Sequence, residues 1–341
     1  MDFQLLPDQT RLAWGLLYFF RFSQLIMDLQ QTIRNSVECR GVGLHSGQSV
    51  RMILRPAPPN AGILFRLLHR GGAQVAVRPD SLADSHYATT LGENGCRIQT
   101  VEHLLSATHA LGIDNLEVEL DANELPALDG SAKPFVNVLY AAGKRTQQAP
   151  RRPFYVSEPI RVGDERRWVE IVPAPDLWVS YTLDLDHPVV GTQTASFPVT
   201  ERVFVEEVAS ARTYGFLKDL ERLRENGLAK GGSLENAVVL GADGILNGHL
   251  RFQDEFVRHK ILDLIGDLAL LGRPVIGHVM ARNAGHALNH QLVMELHRRA
   301  LAERLPQMGW ARTLRGSVRP LKAARPSKAG VVQDLPGLAA L

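Results

Sequence analysis

The sequence predicts an α+β fold that is built as two similar halves. In each half, segments with the alternating pattern of strands come first, and segments with helical spacing follow. Runs of strands followed by runs of helices are typical of α+β domains. The length of 341 residues is long for one hydrophobic core and comfortable for two. We therefore expect two successive α+β domains of related plan.

The composition is ordinary for a globular cytosolic protein, with 45% hydrophobic and 22% charged residues. Lys and Arg number 38 and Asp and Glu 36, so the net charge of +2 gives no reason to expect a nucleic acid partner. The two cysteines, Cys39 and Cys96, cannot form a disulfide framework and fit a reducing compartment, which predicts a cytoplasmic protein. Twelve histidines direct attention to metal or acid–base chemistry.

The apolar and aromatic segment at residues 12–27 is not predicted to cross a membrane. It is too short to span a bilayer, Arg21 interrupts it, and it lacks a small-residue cleavage site. We therefore expect residues 1–26 to be an N-terminal extension of the fold. Two explanations stay open: a frayed or loosely docked extension, and a natural start at Met27, soon after which a patterned strand begins.

The first predicted domain, residues 27–148, begins with strands. Residues 32–38 and 50–54 alternate apolar and polar side chains, as half-buried strands do. Between them lies a glycine-rich turn, residues 41–47. Its glycines resemble a dinucleotide-binding fingerprint only superficially, because the third glycine is one residue late and no helix follows.

Two helices complete the first domain. Thr100 is predicted to cap a helix in which apolar residues recur at helical spacing until Gly112 ends it. A strand at residues 116–120 and a second helix at residues 134–142 follow. Residues 146–153, rich in Gln, Pro and Arg, are predicted to be a linker.

The second predicted domain, residues 154–310, repeats this plan in outline. Its predicted strands are residues 154–160, 168–173, 178–183, 237–240 and 275–281. Its predicted helices are residues 203–209, 217–226, 254–271 and 286–301. Residues 311–341 carry several Arg and Lys but no acidic residue before Asp334, so we expect a basic, disordered tail.

The helix at residues 254–271 carries the strongest indication of chemistry. Apolar residues occupy most of its circumference, so we expect it to be largely buried. Yet His259, Asp263 and Asp267 recur every four residues and form a stripe on one face. Burying these groups without partners would cost roughly several kcal/mol, and a divalent cation would compensate them. A plain His–Asp pair on a solvated face is the alternative.

A third metal ligand is expected on the helix that begins near Thr100. Glu102 and His103 are adjacent there among apolar residues. Adjacent helical positions point about 100° apart, so His103 can face a metal while Glu102 reaches the water bound to it. Three protein ligands and one open position are typical of catalytic zinc, whereas structural zinc prefers four ligands rich in cysteine. The alternative is a histidine that is simply a satisfied residue of the helix.

A further histidine, His286, lies where a loop enters the last predicted helix. It can pair with Asp267, the carboxylate of the stripe that is not assigned to the metal, and so be held protonated. On this spacing alone, a solvated histidine near a helix start is the competing explanation.

Six motifs in this order closely resemble the UDP-3-O-acyl-N-acetylglucosamine deacetylases of the lipid A pathway. The similarity extends from about Met27 to Leu301, and six ordered motifs are a strong signal where a single one is not. The motifs are residues 41–47, 100–106, 129–131 with Pro134 and Phe135, 211–216, 256–263 and 285–289.

The resemblance implies a fold and a set of catalytic roles. The family fold is two similar α+β domains, each a mostly antiparallel sheet with two helices, and the helices are sandwiched between the sheets. The ligands of one catalytic zinc ion are, by motif, His103, His259 and Asp263. The general base is Glu102, and the cationic general acid is His286, which Asp267 orients.

The resemblance also implies contacts with the substrate. Thr213 is implied to donate a hydrogen bond to the oxyanion. Lys260, Asp219 and Tyr214 are implied to lie among the substrate contacts, and Tyr214 stands where a phenylalanine is common. Residues 214–240 correspond to the family's insertion, which forms a passage for the acyl chain.

The implied activity is zinc-dependent hydrolysis of the N-acetyl group of UDP-3-O-acyl-N-acetylglucosamine. The products are acetate and UDP-3-O-acyl-glucosamine, in the committed step of lipid A biosynthesis. We thus expect a UDP-linked acylated amino sugar as partner, at most peripheral membrane contact, and a monomer.

One rival function is that of another zinc amidohydrolase or peptidase. The absence of the His-Glu-x-x-His order from the sequence is evidence against it. The other is a non-enzymatic two-domain binding protein whose polar stripe forms structural ion pairs.

Overall fold

The computed structural model describes residues 28–304 of the chain. The predicted N-terminal extension, Met27, the end of the second predicted domain and the predicted basic tail lie outside these residues. Within residues 28–304, no helix combines the length and apolar character needed to cross a membrane.

In the described chain, the first half contains ten strands and two α-helices. The strands are β1 (Leu29–Ile33), β2 (Val37–Val42), β3 (Ser49–Pro56), β4 (Ile63–Leu67), β5 (Ala73–Ala76), β6 (Leu82–Asp84), β7 (Thr90–Glu93), β8 (Cys96–Ile98), β9 (Leu116–Leu120) and β10 (Lys144–Pro150). The helices are α1 (Glu102–Ala110) and α2 (Lys133–Ala142).

The second half adds nine strands and four α-helices to the described chain. The strands are β11 (Phe154–Tyr155), β12 (Ile160–Gly163), β13 (Trp168–Val172), β14 (Trp178–Asp184), β15 (Thr192–Pro198), β16 (Tyr214–Phe216), β17 (Val238–Leu240), β18 (Val275–Ile276) and β19 (His278–Arg282). The helices are α3 (Glu201–Val203), which continues as a π-helix (Phe204–Val208), α4 (Leu220–Glu225), α5 (Glu255–Leu268) and α6 (His286–Arg304). The 3₁₀ turn Ala269–Leu271 extends α5 to Gly272, whose φ of 69° ends the helix as predicted.

The main sheets of the two halves have the same topology. Their strand orders are β2-β3-β9-β4-β5 and β12-β13-β19-β14-β15, so each strand number in the second sheet is ten higher than its counterpart. In both sheets the third and fourth strands are parallel and all other neighbours are antiparallel. This repeat confirms the predicted α+β fold with two similar, mostly antiparallel sheets.

Strand β9 shows why such a sheet buries one face only. Leu116, Val118 and Leu120 are fully buried, and the glutamates that alternate with them, Glu117 and Glu119, pair with arginines of β4 and β3. Because successive side chains of a strand point to opposite faces, one face is apolar and the other is charged. The apolar face is therefore the one that packs on helices.

The helices lie between the two main sheets. Helices α1 and α5, from different halves, pack against each other at the centre of the molecule. Helix α2 packs on β2 of the first sheet, whereas α5 packs on β14 and β15 and α6 on β12 and β13 of the second sheet. This is the sandwich that the family resemblance implies, and it places the polar stripe of α5 at the junction of the halves.

Several predicted details of the elements are wrong. The predicted linker is largely strand β10, which pairs antiparallel with β1 although most of its side chains are polar. Thr100 does not cap α1: its hydroxyl donates to the buried carboxylate of Glu124 at 3.1 Å, and the helix begins without a side-chain cap. Strands β4 to β8, β15 and β16 have no predicted counterpart, because pairing with neighbouring strands decides such short segments more than their own sequence does.

Candidate active site

Helices α1 and α5 approach closely at the candidate site. A Cβ atom added at Gly266 of α5 would lie 2.2 Å from the carbonyl oxygen of Glu102, at the start of α1. The absence of a side chain at Gly266 therefore permits the close backbone approach. As a result, His103 of α1 reaches the polar stripe of α5.

We expect Gly266→Ala to destabilise the protein by about 1–3 kcal/mol, as overpacking does. Alanine favours a helix by about 1 kcal/mol over glycine, but the backbone of Glu102 leaves no space for a methyl group. Thermal unfolding would measure the change, with Gly244→Ala as the control, because no atom lies within 4 Å of a Cβ added there. An unchanged melting temperature of Gly266→Ala would contradict the close-contact argument.

The three predicted zinc ligands converge at this contact. Nε2 of His103 lies 3.7 Å and Nε2 of His259 lies 3.3 Å from the same oxygen, Oδ1 of Asp263. The two imidazole rings are 5.1 Å apart between centroids and nearly perpendicular. All three side chains are buried, and their ligand atoms lie within 4.8 Å of one another, close enough to bind one ion.

The hydrogen bonds of this cluster indicate that a cation belongs there. Nδ1 of His259 donates to the carbonyl oxygen of Ala211 at 3.1 Å, which leaves Nε2 without a proton in the neutral ring. This Nε2 and Oδ1 of Asp263 are then two acceptors that face each other, and Oδ1 is buried without a hydrogen-bond partner within residues 28–304. A cation bound between them would satisfy both acceptors at once.

The charge states of the cluster are compatible with a divalent metal such as zinc. Burial and the neighbouring His259 lower the pKa of His103 to about 3, and burial also lowers the pKa of His259, so both imidazoles are neutral. Burial raises the pKa of Asp263, but His259, which is protonated only at low pH, and the charged Lys260 outweigh burial and lower that pKa to about 2. Two neutral imidazole nitrogens and one carboxylate oxygen form a ligand set of catalytic zinc.

Glu102 lies beside the ligands at the first turn of α1. Its Oε2 accepts a hydrogen bond from the backbone N–H of Thr89 at 3.0 Å, and its Oε1 lies 4.0 Å from Nε2 of His286. Burial raises the pKa of Glu102 to about 8, and the positive charge of His286 acts in the opposite direction. The carboxylate is thus held by one oxygen and has the other directed towards His286.

His286 is held by the last carboxylate of the stripe, as the sequence predicts. Its Nδ1 donates to Oδ2 of Asp267 at 2.7 Å, and Asn289 donates to the same oxygen at 2.8 Å. Burial lowers the pKa of His286, but the adjacent Asp267 carboxylate outweighs it and raises that pKa to about 9. Asp267 is fully buried; burial raises its pKa, but the interactions with His286 and His290 outweigh burial and hold that pKa well below the usual range.

A small cavity joins these side chains. Thr213 lines it, together with Glu102, His286 and the three predicted ligands. The backbone of Thr213 is fixed on both sides, because its N–H donates to Gly130 and its carbonyl accepts from Val238. The structure therefore brings Thr213 to the same cavity as the predicted acid and base.

The three predicted substrate contacts do not line this cavity. Lys260 is buried, with Nζ 3.3 Å from Oδ2 of Asp263. Tyr214 is fully buried, with its ring against Phe256 and His259 at centroid distances of 5.0 and 6.3 Å. Asp219 belongs to the 3₁₀ turn Leu217–Asp219 and pairs with Arg222 at 2.8 Å.

Other residues of the site are not predicted by the sequence patterns. Thr89, His45 and Tyr87 all contact or line the site, and His290 contacts Asp267 with Nε2 at 3.3 Å from Oδ1. His45 belongs to the first of the six motifs, so that motif is a signal for it. His290 follows His286 by one helical turn, which is a weaker signal. Nothing in the local sequence of Thr89 points to the site.

The glycine-rich turn at residues 41–47 binds a carboxylate of the protein itself. The backbone N–H groups of His45 and Ser46 both donate to Glu124 at 2.8 Å. A Cβ atom added at Gly43 would lie 2.3 Å from the carboxylate of Glu124, so a side chain there would displace it. This contact explains Gly43 without a nucleotide, in agreement with the interpretation of the sequence.

Comparison with known proteins identifies the family. A model of the family UDP-3-O-acyl N-acetylglycosamine deacetylase matches residues 30–298, which is most of the chain. The chain belongs to this family. A UDP-3-O-acyl-N-acetylglucosamine deacetylase of Oleidesulfovibrio alaskensis is 46% identical over 263 residues, which are 76% of this chain and 86% of the relative.

Two further relatives of the deacetylase family carry the same name. The protein of Myxococcus xanthus is 47% identical over 269 residues, which are 78% of this chain and 86% of the relative. The protein of Syntrophotalea carbinolica is 42% identical over 310 residues, which are 90% of this chain and all of the relative. Family membership confirms the resemblance and the zinc cofactor expected from it, and the cluster of His103, His259 and Asp263 fits that ion.

Proposed function

We propose that this chain hydrolyses the N-acetyl group of UDP-3-O-acyl-N-acetylglucosamine, releasing acetate and UDP-3-O-acyl-glucosamine for lipid A biosynthesis. One observation carries the proposal: a zinc-type ligand set lies beside a carboxylate and a cationic imidazole that face each other across one small cavity. Amide hydrolysis needs these three components, and the chain belongs to a family of deacetylases.

We assign the zinc ion to His103, His259 and Asp263, because the Nε2 atoms of both histidines lie near Oδ1 of Asp263, which has no hydrogen-bond partner within residues 28–304. When bound there, zinc supplies a water that is acidic at neutral pH and polarises the amide carbonyl. The hydrogen bond from His259 to Ala211 fixes the orientation of one ligand ring before any metal binds.

Glu102 is the proposed general base. The Thr89 N–H fixes Oε2, so Oε1 is free to accept the proton of the attacking water. Burial raises the pKa of Glu102 to about 8, and the positive charge of His286 acts against burial, towards the carboxylate form that a base requires. A positioned base of this kind contributes about 10²–10⁴ to the rate.

His286 is the proposed general acid. Its Nδ1 is bound to Asp267, so its Nε2 is the atom that faces the cavity and carries the transferable proton. An amide nitrogen leaves readily only after protonation, and an imidazolium beside it supplies that proton. The hydroxyl of Thr213, on the same cavity, is proposed to donate a hydrogen bond to the oxyanion.

A pH profile tests the pairing of His286 with Asp267. The carboxylate of Asp267 raises the pKa of His286 to about 9, and the acid must be protonated to act, so activity should fall on the basic side as His286 loses its proton. In Asp267→Asn that negative charge is absent, and the basic limb of kcat/KM should move to lower pH with zinc content unchanged. Glu102 and Asp263 also raise the pKa of His286, so part of its upward shift should remain in Asp267→Asn. The imidazole of His290 contacts the same Asp267 carboxylate.

The control for this profile is His286→Gln, which should lack the basic limb altogether. A basic limb that stays in place in Asp267→Asn would show that another group titrates there. In that case His286 could not be retained as the general acid.

We retain three residues as proposed substrate contacts on the basis of the family motifs: Lys260, Asp219 and Tyr214. We also propose that residues 214–240 form the passage for the acyl chain. We also propose that the enzyme acts as a monomer in the cytoplasm, with at most peripheral membrane contact. Both cysteines are free, which suits a reducing compartment, and every assigned catalytic side chain comes from one chain.

An assay with UDP-3-O-acyl-N-acetylglucosamine tests the function directly. We expect stoichiometric zinc in the purified protein, release of acetate, loss of activity on chelation, and recovery when zinc is added. Cleavage of unmodified peptides instead of this substrate would indicate a peptidase. Substoichiometric zinc together with no turnover would indicate a binding protein whose stripe is structural.

A further inference from the structure

Thr89 contacts both proposed catalytic groups, although the sequence gives no reason to single it out. It lies directly before β7, is fully buried, and is 178 residues away from Asp267 in the chain. Its hydroxyl oxygen is 2.5 Å from Oδ1 of Asp267, the residue that holds His286. Its backbone N–H donates to Oε2 of Glu102 at 3.0 Å. One residue of the first half therefore reaches helices α1 and α5 together.

The direction of the hydroxyl bond follows from the proton inventory. A threonine hydroxyl has one proton, and the ionised carboxylate of Asp267 can only accept, so Thr89 donates to Asp267. Its oxygen is then an acceptor for Nε2 of His290 at 3.0 Å and, more weakly, for Nδ1 of His286 at 3.2 Å. The donor proton and both acceptor lone pairs of the Thr89 hydroxyl therefore have partners, and these contacts fix its orientation.

The backbone of Thr89 is fixed to the start of α1. Besides the bond from its N–H to Glu102, its carbonyl oxygen accepts from the N–H of Val101 at 3.4 Å. Tyr87, two residues earlier, has a φ of 62°, a left-handed conformation that is uncommon for a side chain of this size. The chain turns there, and Thr89 then lies between α1 and the Asp267–His286 pair.

From these contacts we propose that Thr89 is a positioning residue that sets the separation of the general base Glu102 from the general acid His286. The proposal rests on the function argued above. Glu102 is fixed through the backbone of Thr89, and Asp267, with the imidazole it orients, is fixed through the hydroxyl. The resulting gap between Oε1 of Glu102 and Nε2 of His286 is 4.0 Å. Displacements of about 1 Å in such an arrangement can cost 10²-fold in rate.

The test replaces the hydroxyl without changing the shape of the side chain. In Thr89→Val we expect kcat to fall about 10- to 100-fold, the effect of losing a hydrogen bond to a charged group. The KM and the zinc content should stay unchanged, because Thr89 is placed on neither the substrate nor the metal. Thr89→Ser, which keeps the hydroxyl, should recover most of kcat, and Thr89→Ala, which cannot clash, should behave like Thr89→Val.

Thr108→Val is the matched control. Thr108 is equally buried, and its hydroxyl donates to the backbone carbonyl of Leu105 within α1, so its loss removes a structural hydrogen bond only. We expect this variant to change thermal stability without a change in kcat at a temperature where it is folded. A drop in kcat for Thr108→Val equal to that for Thr89→Val would overturn the proposal.

A double-mutant cycle separates positioning from general destabilisation. When Asp267 is already Asn, the further change Thr89→Val should cost much less in kcat than it does alone, since its partner carboxylate is absent. Full additivity, or kcat values of both Thr89→Val and Thr89→Ala close to the unmutated enzyme, would overturn the inference. Loss of zinc in both variants would also overturn it, in favour of a structural role. Absence of turnover in the unmutated protein would instead refute the proposed function.

Discussion

His103→Ala, His259→Ala and Asp263→Ala should each lose bound zinc and nearly all deacetylase activity. The three proposed ligand atoms lie within 4.8 Å of one another and belong to two helices, so each substitution removes one of only three proposed protein ligands. An open site with three protein ligands also has no spare ligand to lose. The expected loss exceeds that for the other substitutions at the site, because both the water and the carbonyl depend on the ion.

Metal content and turnover, measured on the same preparations, decide this prediction. His109→Ala is the control, since His109 lies on α1 with His103 but lines a different cavity. It should keep stoichiometric zinc and full activity. Full activity of any one ligand variant, at a measured zinc content, would remove that residue from the ligand set.

Glu102→Ala should keep its zinc and lose about 10²–10⁴ in kcat, the usual contribution of a general base. Glu102 precedes His103 by one position on α1, but its oxygens contact the N–H of Thr89 and approach His286, and Glu102 is not one of the three grouped ligand residues. The substitution thus removes the proton acceptor and leaves the ligands intact. Glu102→Gln, which keeps the size of the side chain, should lose a similar factor.

The matched control removes a carboxylate elsewhere. Glu119→Gln on β9 breaks an ion pair with Arg55 on the outer face of the first sheet, where such pairs contribute about 0–1 kcal/mol. It should leave kcat and zinc unchanged. If Glu102→Ala were instead purified without metal, Glu102 would be a metal ligand and could not be retained as the general base.

Local sequence patterns predict much of the site. His259, Asp263 and Asp267 share a face because residues four apart on a helix always do, and α5 forms over nearly the predicted residues. The burial of that face follows from the apolar residues around it. The roles of Thr213 and of the substrate contacts come only from the family resemblance, since no spacing identifies an oxyanion donor.

Long-range pairing decides what local patterns do not show. The polar segment of β10 has no strand pattern of its own and becomes a strand because β1 offers it a ladder of hydrogen bonds. Thr100 has the residue type of a helix cap, yet its hydroxyl binds Glu124, which only the folded chain brings near.

One physical reason explains why some features follow from local sequence patterns and others only from the tertiary structure. By itself the sequence determined the two α+β halves, the buried helix α5 and the shared face of His259, Asp263 and Asp267, because periodicity fixes which side chains share a face within an element. Only the tertiary structure decided that Gly266 lets α1 touch α5, and that Thr89 joins Glu102 to Asp267. Such contacts arise from the packing of segments far apart in the chain, and no local pattern encodes which segments will meet.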